Sequence, residues 1–373
     1  MRENLKYFVK NIFACFLSIL ILVLFGSLFI PKTFAQPIHV TNFSDLRDLL
    51  ADSNQSGIQI QIDTPTIVSV ENYNGCGKQK YIIGSPDISV LDGQGFFGIY
   101  GNGEGQELHL SSITLCNFSK TAGSAPGDQK NGATLFFQNN AKLYFDGNVN
   151  IISNTISGGG GSFDQYGGDS AGVCMNRSDL YASSITINFI ANKSSDASGS
   201  ALYFNGSEVI FFNDKILFQD NEAGDEGAAL WAWDNAQLSF TNSSVTFLRN
   251  RADLSAGRAT TNPNPLGIGG AISIKQNSVN ISFQGTTEVD FTSNSARNGG
   301  AIYTGGTINF ECASVVFSEN VATSSGGAIY NANGLLYLDT SNGDIIFTGN
   351  QAGAGDAAGH DIYLEAGTSN NKW

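Results

Sequence analysis

GGAIYTGGTINFECASVVFSEN, residues 299–320, is the stretch that decides the fold of this 373-residue chain. It begins with a small-residue turn at Gly299 and closes with an aromatic residue, Phe317, and an asparagine, Asn320. Units of the same design recur at least seven times, at residues 132–154, 172–192, 199–221, 227–250, 269–294, 299–320 and 326–350. Repetition at such a period is the signature of a solenoid, in which each unit packs on its neighbours.

Each unit contains three short runs of strand-forming residues, which in the quoted unit are Ala301 to Tyr303, Thr307 to Glu311 and Val315 to Asn320. Three strands in each turn of chain predict an all-β fold, a right-handed parallel β-helix with a triangular section. Because residues alternate between the two faces of a strand, the aliphatic residue after the glycine turn should point inward. The residues at this place are Leu202, Leu230, Ile272, Ile302 and Ile329.

The third run of each unit places an aromatic residue and an asparagine in fixed positions. We expect the aromatic residues to stack in one inward column, formed by Phe189, Phe218, Phe247, Phe291, Phe317 and Phe347, with Ile151 in that place in the first unit. The asparagine three residues later is expected to adopt the left-handed backbone conformation and to bond the same amide one coil away. These asparagines are Asn154, Asn192, Asn221, Asn250, Asn294, Asn320 and Asn350.

Glycines at the next corner should adopt a conformation that a side chain would forbid, and the complete GGAI turns begin at Gly269, Gly299 and Gly326. Residues 71–366 are therefore predicted to form the β-helix, followed by a tail at 367–373. Four cysteines lie outside the first 35 residues and lack metal-ligand spacing: Cys76, Cys116, Cys174 and Cys312.

The first 35 residues are predicted to be a signal peptide. Arg2, Lys6 and Lys10 precede an apolar stretch from Ile12 to Ile30, and Thr33 to Ala35 offer small residues for cleavage. The apolar stretch is also long enough to span a bilayer, so an uncleaved anchor stays open. Either outcome predicts an exported protein.

Residues 36–70 are predicted to cap the first coil of the helix. One helical face carries Phe43, Leu46, Leu49 and Leu50, and a strand follows with alternating Ile58, Ile60 and Ile62. A short helix that covers the open end of the stack accounts for this pattern.

The connectors between each asparagine and the next glycine turn differ greatly in length. Two are long, with seventeen residues at 155–171 and eighteen at 251–268. Since all connectors leave the same corner, the long ones should protrude along one edge, where binding is common in repeat proteins. The alternative interpretation is that the long connectors are solvated, flexible loops without a binding role.

Charge and composition exclude one class of partner. The formal net charge is −14, and removal of residues 1–35, which carry four basic residues and one acidic residue, changes it to −17. A nucleic-acid partner is therefore not expected, because such proteins neutralise phosphates with lysine and arginine.

A secreted polysaccharide lyase or hydrolase is the rival class, since such chemistry needs carboxylates clustered with other charged groups on one face. The three histidines, His39, His109 and His360, are far apart in the sequence. Asp92 is typical of a turn, and Asp225 and Glu226 could form at most a weak cation site with Asp196. No catalytic residue, metal or cofactor is predicted.

Three complete GGAI turns, phased against six FxxN sites from Phe189 to Asn350, resemble the passenger region of the chlamydial polymorphic outer membrane proteins. The resemblance covers roughly residues 95 to 365. It implies an autotransporter passenger at the cell surface, associated with the outer membrane or secreted. It further implies an adhesin that binds a host-cell surface receptor or matrix component, with the two tetrapeptides taking part in binding.

The pattern of that family predicts a middle segment and a barrel after the repeats, and neither is expected before Trp373. Another coil begins at Gly359, so the chain is expected to stop in mid-coil with a strand edge to be covered. Three explanations stay open: a truncated remnant of a longer autotransporter, a capping partner at the C-terminal coil, or a second copy of the chain there.

Overall fold

The computed structural model describes residues 36–73, 75–85, 88–121, 133–157, 170–195, 198–252, 267–353 and 359–365. The predicted signal peptide, most of both long connectors and the predicted tail lie outside these ranges. Within them, no helix has the length and apolar character needed to cross a membrane.

The chain enters the fold through strand β1 (Ile38–Val40) and helix α1 (Phe43–Ala51). The helix begins after Asn42, whose side chain accepts a hydrogen bond from the Asp45 main-chain N–H at 3.0 Å. At the other end, the ammonium group of Lys80 donates to the carbonyl oxygen of Asp52 at 2.8 Å. The apolar face of α1 joins the main core, with Phe43, Leu46 and Leu50 buried and Leu49 partly buried.

All the other regular elements are strands, and they form three parallel sheets. Sheet I has nine strands, which lie after the glycine turns: β6 (Ile99–Asn102), β10 (Leu135–Gln138), β14 (Val173–Asn176), β18 (Leu202–Asn205), β22 (Leu230–Trp233), β26 (Ile272–Ile274), β29 (Ile302–Thr304), β32 (Ile329–Asn331) and β35 (Ile362–Leu364).

Sheet II has nineteen strands arranged in two rows. The first row contains β1, β2 (Ile58–Ile62), β4 (Lys80–Gly84), β7 (Glu107–Ser111), β11 (Lys142–Phe145), β15 (Asp179–Ser183), β19 (Glu208–Phe212), β23 (Gln237–Thr241) and β33 (Leu335–Leu338). The second row contains β3 (Thr66–Val68), β5 (Ser89–Asp92), β8 (Ile113–Cys116), β12 (Val149–Ile152), β16 (Thr186–Ile190), β20 (Lys215–Gln219), β24 (Ser244–Leu248) and β34 (Asp344–Thr348). Two long strands, β27 (Asn280–Thr292) and β30 (Thr307–Ser318), run through both rows.

Sheet III has seven short strands that directly follow the asparagine position: β9 (Ser119–Thr121), β13 (Thr155–Ser157), β17 (Lys193–Ser194), β21 (Glu222–Ala223), β25 (Arg251–Ala252), β28 (Ser295–Asn298) and β31 (Val321–Ser325). The parallel β-helix is thus confirmed. Each complete coil passes through sheet I, the two rows of sheet II and sheet III. The sequence did not predict sheet III, because its strands are too short to show an alternating pattern.

Two columns of phenylalanine rings fill the core. The predicted column from Phe189 to Phe347 stacks with ring centroids 4.7–4.8 Å apart and planes within 5° of parallel. A second column, not predicted, runs through the first row of sheet II from Phe211 to Phe310 at 4.8–5.1 Å. The columns meet edge to face, as between Phe310 and Phe317 at 5.9 Å and 85°. This geometry is favourable for aromatic pairs.

The asparagines form a continuous buried ladder from Asn154 to Asn350. Each side-chain amide donates to the side-chain oxygen of the asparagine in the next coil at 2.9–3.1 Å. Most also donate to a main-chain carbonyl of the preceding coil, as Asn294 does to Phe247 at 2.8 Å. Asn117 lies one place out of register, and the Phe118 main-chain N–H takes its place by donating to Asn154.

The expected left-handed conformation of these asparagines is wrong by one residue. The positive φ angle belongs to the preceding position, for example 53° at Ala191, 52° at Arg249 and 55° at Glu319. The asparagine itself must point into the core to make its ladder bonds, so the chain bends just before it. The residue at the bend has a side chain outside the core, which explains why many residue types occupy that place.

Both glycines of the GGAI turn are required by the backbone. Gly299 has a φ angle of 64°, and a Cβ atom there would lie 2.0 Å from the carbonyl oxygen of Ile302. Gly300 packs against the next coil, so that its Cβ atom would lie 2.1 Å from the carbonyl oxygen of Gly327. Gly269 and Gly326 repeat the first arrangement, with φ angles of 63° and 68°. The turn therefore specifies the corner of the coil.

Candidate binding surface

The characteristic side chains of the two tetrapeptide motifs lie inside the β-helix. The isoleucines Ile272, Ile302 and Ile329 are fully buried, as are the ladder asparagines from Asn154 to Asn320. The column phenylalanines are also fully buried, except Phe347, which is partly buried in the last complete coil. Side chains without solvent access cannot contact a partner. Any binding surface of the folded chain must therefore use other residues.

The long connectors fall largely outside the described residues, at 158–169 and 253–266. The return of the second one is described. Gly267 donates its main-chain N–H to the carbonyl oxygen of Asp225 at 2.7 Å and accepts from Arg297 at 2.7 Å. The chain therefore re-enters the β-helix beside residues 225–226, a few residues before strand β22 of sheet I.

The outer face of sheet I carries an unusual column of side chains. In register along the rod, it consists of Tyr100, Phe136, Cys174, Tyr203, Trp231, Ser273, Tyr303, Tyr330 and Tyr363. Their strand neighbours point into the main core, whereas Phe136, Cys174, Tyr203 and Trp231 form a separate apolar cluster. Seven aromatic residues at nine outward positions are more than a solvated sheet surface requires.

Three rings in the middle of this face stack on one another. Tyr203 and Trp231, from neighbouring coils, have ring centroids 4.7 Å apart with planes 14° from parallel. Trp231 and Trp233, on the same strand, are 5.6 Å apart with planes 5° from parallel. Tyr203 and Trp231 are buried, but Trp233 is only partly buried. The stack thus ends in a rigidly held indole that solvent can reach.

A buried ion pair holds this stack in place. Glu226 accepts a hydrogen bond from Trp231 Nε1 at 2.8 Å, and its other carboxylate oxygen contacts the ammonium group of Lys275. The Glu226 side chain is 3% exposed, and that of Lys275 is 19% exposed. Burial raises the pKa of Glu226, while the nearby ammonium group opposes the rise.

At Asp225 and Glu226, where the sequence allowed at most a weak cation site, this pairing leaves both carboxylate oxygens of Glu226 engaged. Glu226 already has an internal cation, and Asp196 lies outside the described residues. Among the described residues, no group of three or more histidines, cysteines and carboxylates is placed to hold a metal ion.

Two buried polar atoms lie beside the aromatic stack. Ser273 Oγ and Asn205 Oδ1 have no hydrogen-bond partner within the described part of the chain, although the two residues are 0% and 3% exposed. Ser273 pairs in register with Trp231, and Asn205 with Trp233. Buried polar atoms are normally satisfied, whereas these two lack both a hydrogen-bond partner and contact with solvent.

A different aromatic strip lies on the outer face of sheet II. Tyr81, His109, Tyr144 and Tyr181 stack in order with centroids 4.0, 4.2 and 5.3 Å apart. His109 Nδ1 lies 2.7 Å from a carboxylate oxygen of Asp146. Burial lowers the pKa of His109, but hydrogen bonds and charges of Asp146 and Glu107 outweigh it, so that the net shift is upward. The rings cover one another's faces, and the strip is explained as a stabilising ladder.

The remaining residues considered for chemistry have structural roles. Asp92 accepts hydrogen bonds from the Gln94 main chain at 3.1 Å and from Asn117 at 3.1 Å, as a turn residue does. His39 contacts Asp63, and His360 accepts from the Ala352 main chain, so the three histidines do not meet. Cys76, Cys116, Cys174 and Cys312 form no disulfide bond with one another.

Comparisons with known proteins agree with this architecture. The family described as "Chlamydia polymorphic membrane protein (Chlamydia_PMP) repeat" matches residues 288–305 and 314–332, which cover the FxxN sites at Asn294 and Asn320. Two segments of this chain are thus similar to the repeat of the chlamydial polymorphic membrane proteins. Both matches begin in the second row of sheet II and continue through sheet III toward sheet I.

Polymorphic membrane proteins are also found among curated relatives. "Probable outer membrane protein PmpG" of Chlamydia muridarum is 30% identical over 275 residues, which is 70% of this chain and 24% of that protein. "Probable outer membrane protein PmpF" of Chlamydia trachomatis is 28% identical over 264 residues, or 66% of this chain and 24% of that protein. "Probable outer membrane protein pmp6" of Chlamydia pneumoniae is 33% identical over 133 residues, or 34% of this chain and 10% of that protein.

The chain thus spans about a quarter of the length of the first two relatives, where 24% is covered. Their names support the predicted location at the cell surface or outer membrane. No solved structure matches the chain significantly.

The apolar cluster of Phe136, Cys174, Tyr203 and Trp231 on the outer face of sheet I, here called the outer cluster, was not predicted from the sequence, although the sequence contained one signal for it. In Leu230 to Trp233 the alternation places Leu230 and Ala232 inward, and therefore both tryptophans outward. Two large aromatic residues on the outer side of one strand indicate a covered or binding surface. The partners Glu226 and Lys275 gave no comparable signal, because they lie in different coils.

Proposed function

We propose that this chain is a surface-exposed, non-catalytic, adhesin-like passenger that binds a component of the host-cell surface or matrix. The observation that carries the proposal is that the buried positions of the coil repeat regularly, whereas the outward positions vary. The repeated residues, such as Ile302, Phe317 and Asn320, are buried and identical in role from coil to coil. The irregular features are the aromatic column on the outer face of sheet I, whose residue types differ between coils, and the two long connectors, whose lengths differ from those of the others.

This pattern is that of a repetitive scaffold that carries binding residues at its variable positions. The outer cluster lies beside the return of the connector at 251–268, since Gly267 bonds to Asp225. We therefore assign the contact surface to the outer face of sheet I together with the connector edge. The relatives' names as outer membrane proteins support display at the surface.

A secreted polysaccharide lyase or hydrolase is the second candidate, because Glu226 is a buried carboxyl beside aromatic rings, with its pKa raised by burial. Glycoside hydrolysis usually needs two carboxyl groups, about 5.5 Å or about 6.5–9.5 Å apart, that are free to exchange protons and to attack. Both carboxylate oxygens of Glu226 are engaged, one by Trp231 and one by Lys275. This engagement favours a structural role for Glu226 and a binding role for the surface.

Purified residues 36–373 can test the proposal by flow cytometry on host cells and by adsorption to matrix proteins. Separate deletions of 158–169 and 253–266 should weaken binding and leave the thermal unfolding temperature nearly unchanged, because connector length already varies severalfold between coils. Deletion of the shorter connector 354–358, near the far end of the repeats, is the matched control and should bind normally.

Two outcomes would contradict the proposal. If the purified chain binds neither cells nor matrix, the adhesin hypothesis is wrong. If the purified chain depolymerises members of a polysaccharide panel, and Glu226→Gln abolishes that turnover, the enzyme hypothesis replaces the adhesin hypothesis.

A further inference from the structure

A histidine lies between two tyrosine rings at the start of the aromatic strip on sheet II. Tyr81, His109 and Tyr144 pair in register across the neighbouring strands β4, β7 and β11. The imidazole centroid is 4.0 Å from one phenol ring and 4.2 Å from the other, with planes 19° and 3° from parallel. The His109 side chain is only 12% exposed. It therefore contacts two neighbouring coils at once.

Both ring nitrogens of His109 face carboxylates. Nδ1 lies 2.7 Å from a carboxylate oxygen of Asp146, so this nitrogen carries a hydrogen and donates it. Nε2 is buried without a hydrogen-bond partner in the described part of the chain, and an oxygen of Glu107 lies 3.9 Å from it. In a neutral ring, Nε2 would turn a lone pair toward that carboxylate. In an imidazolium, the same nitrogen is a donor within ion-pair distance.

The other charged groups on these strands leave negative charge for an imidazolium to balance. Strand β11 carries Lys142, which pairs in register with Glu107 on one side and with Asp179 on the other. Asp146 follows the same strand. Three carboxylates thus accompany one ammonium group around the ring, and the geometry favours the protonated form of His109.

The imidazole is the group of this strip that changes its charge near neutral pH. Burial lowers the pKa of His109, but the hydrogen bonds and charges of Asp146 and Glu107 raise it by more than burial lowers it. Burial raises the pKa of both neighbouring tyrosines, to about 12 for Tyr81, so these rings stay neutral. The faces of neutral aromatic rings attract a cation, most strongly where water is excluded.

We infer that His109 is a pH-dependent clamp, which in its protonated form holds the coils of β4, β7 and β11 together and which weakens as the pH rises. This device does not depend on the proposed binding function. A group whose pKa is raised in the folded chain contributes stability that is complete below its unfolded pKa, about 6.5 for histidine. That contribution is lost as the pH rises through the raised pKa of the folded state.

The clamp should act locally, because each coil of a solenoid is stabilised chiefly by its two neighbours. Within the described residues, only β1 and β2 precede β4 in the first row of sheet II. Coils near an end can open without unfolding of the whole chain. Deprotonation of His109 should therefore increase the opening of residues 80–111 and leave the later coils closed.

An NMR titration of the three imidazoles in residues 36–373, assigned with His→Gln variants, tests the protonated state directly. At pH 6.5, the usual midpoint of a histidine, more than half of His109 should remain protonated. A protonated fraction below one half at this pH would overturn the inference. Asp146→Asn, at a side chain that is 45% exposed, should lower the fraction without disturbing the core.

Hydrogen exchange followed by mass spectrometry measures the opening of the coils. After correction for the intrinsic pH dependence of exchange, the protection of residues 80–84 and 107–111 should fall at least about twofold between pH 6 and pH 8.5. Residues 302–317, which lie in later coils, are the internal control and should change less. An equal change in the two regions would contradict a local clamp.

Two variants separate the charge of His109 from its packing. His109→Gln has a polar side chain that cannot be protonated, so the pH response of residues 80–111 should disappear. His39→Gln is the matched control and should keep the response, because His39 also contacts a carboxylate, at 2.6 Å, but is 55% exposed outside the strip. The same response in both variants would overturn the inference.

Asp146→Asn gives a second comparison if His109→Gln does not fold. Loss of the Asp146 charge should move the opening of residues 80–111 to lower pH. An opening profile that does not move would show that the His109–Asp146 contact is not its source.

Discussion

Replacement of Asn294 by aspartate tests the ladder without changing its volume. The Asn294 side-chain N–H₂ group donates to the Phe247 carbonyl oxygen at 2.8 Å and to Asn320 Oδ1 at 3.1 Å. Its Oδ1 accepts from the main-chain N–H and the side-chain amide of Asn250, at 2.9 and 3.0 Å. Aspartate keeps the oxygen that accepts the two bonds from Asn250. Its second carboxylate oxygen replaces the N–H₂ donor and faces the acceptor oxygens of Phe247 and Asn320.

The magnitude follows from these contacts. Two donated bonds are lost at a fully buried position, and each buried group left without its partner costs about 1–3 kcal/mol. We therefore expect Asn294→Asp to lower the free energy of unfolding by about 2–6 kcal/mol at pH 8. Protonation restores one donor, so part of the loss should be recovered at low pH. The pKa of this carboxyl in the folded state is expected to rise, and stability should fall as the pH increases through that raised value.

Urea denaturation followed by circular dichroism, at pH 5 and pH 8, measures both effects. Asn309→Asp is the matched control, because Asn309 lies on the outer side of the first row of sheet II and is partly exposed. Equal stability of Asn294→Asp and Asn309→Asp at pH 8 would refute the ladder as a source of stability.

Three further changes test the core, the glycine turn and a buried carboxyl. Phe317→Ala should destabilise the protein by about 3–5 kcal/mol in thermal or urea unfolding, since it leaves a void between Phe291 and Phe347, and a shift within a degree would contradict the stacked column. Gly300→Ala should lower the unfolding temperature sharply, because its Cβ atom would lie 2.1 Å from a backbone oxygen. Gly349→Ala is the control for this clash: its φ angle of 66° costs an alanine about 1–2 kcal/mol, but the nearest atom is 3.7 Å away, and Ala191 occupies the equivalent place at 53°. Burial raises the pKa of Asp214 to about 6 from 3.8, so the protonated form favours folding, and this carboxyl should contribute a decline in stability of about 3 kcal/mol between about pH 4 and pH 6. Asp214→Ser, which copies Ser243 in the next coil, should remove that decline in denaturation curves recorded across this range, and an unchanged profile would show that Asp214 is not its source.

The corrections to the sequence-based picture share one cause. Sequence periodicity shows which residues point inward, but it does not show the backbone angle at a corner. The left-handed residue was therefore assigned to the asparagine, whereas it is the residue before it, such as Arg249 or Glu319. The second phenylalanine column is less evident in the sequence because it is interrupted, with Ala182 in register between Phe145 and Phe211.

The structure also changes the role of the motifs that carry the family resemblance. The resemblance implies that GGAI and FxxN take part in host-cell binding, but their characteristic side chains lie in the core. In the folded protein these motifs act on binding by shaping the coil. A substitution such as Gly300→Ala would then reduce binding through loss of the fold.

The sequence by itself determined the coil, the column of FxxN phenylalanines and the asparagine ladder. It could do so because each residue in a solenoid packs against its own equivalent one repeat away, so that the period along the chain becomes the spacing in space. Only the tertiary structure decided the outer cluster. Glu226, Trp231 and Lys275 come from a connector and two coils, and they meet because the coils are in register across a connector of eighteen residues. No periodic pattern encodes that meeting, since it occurs once.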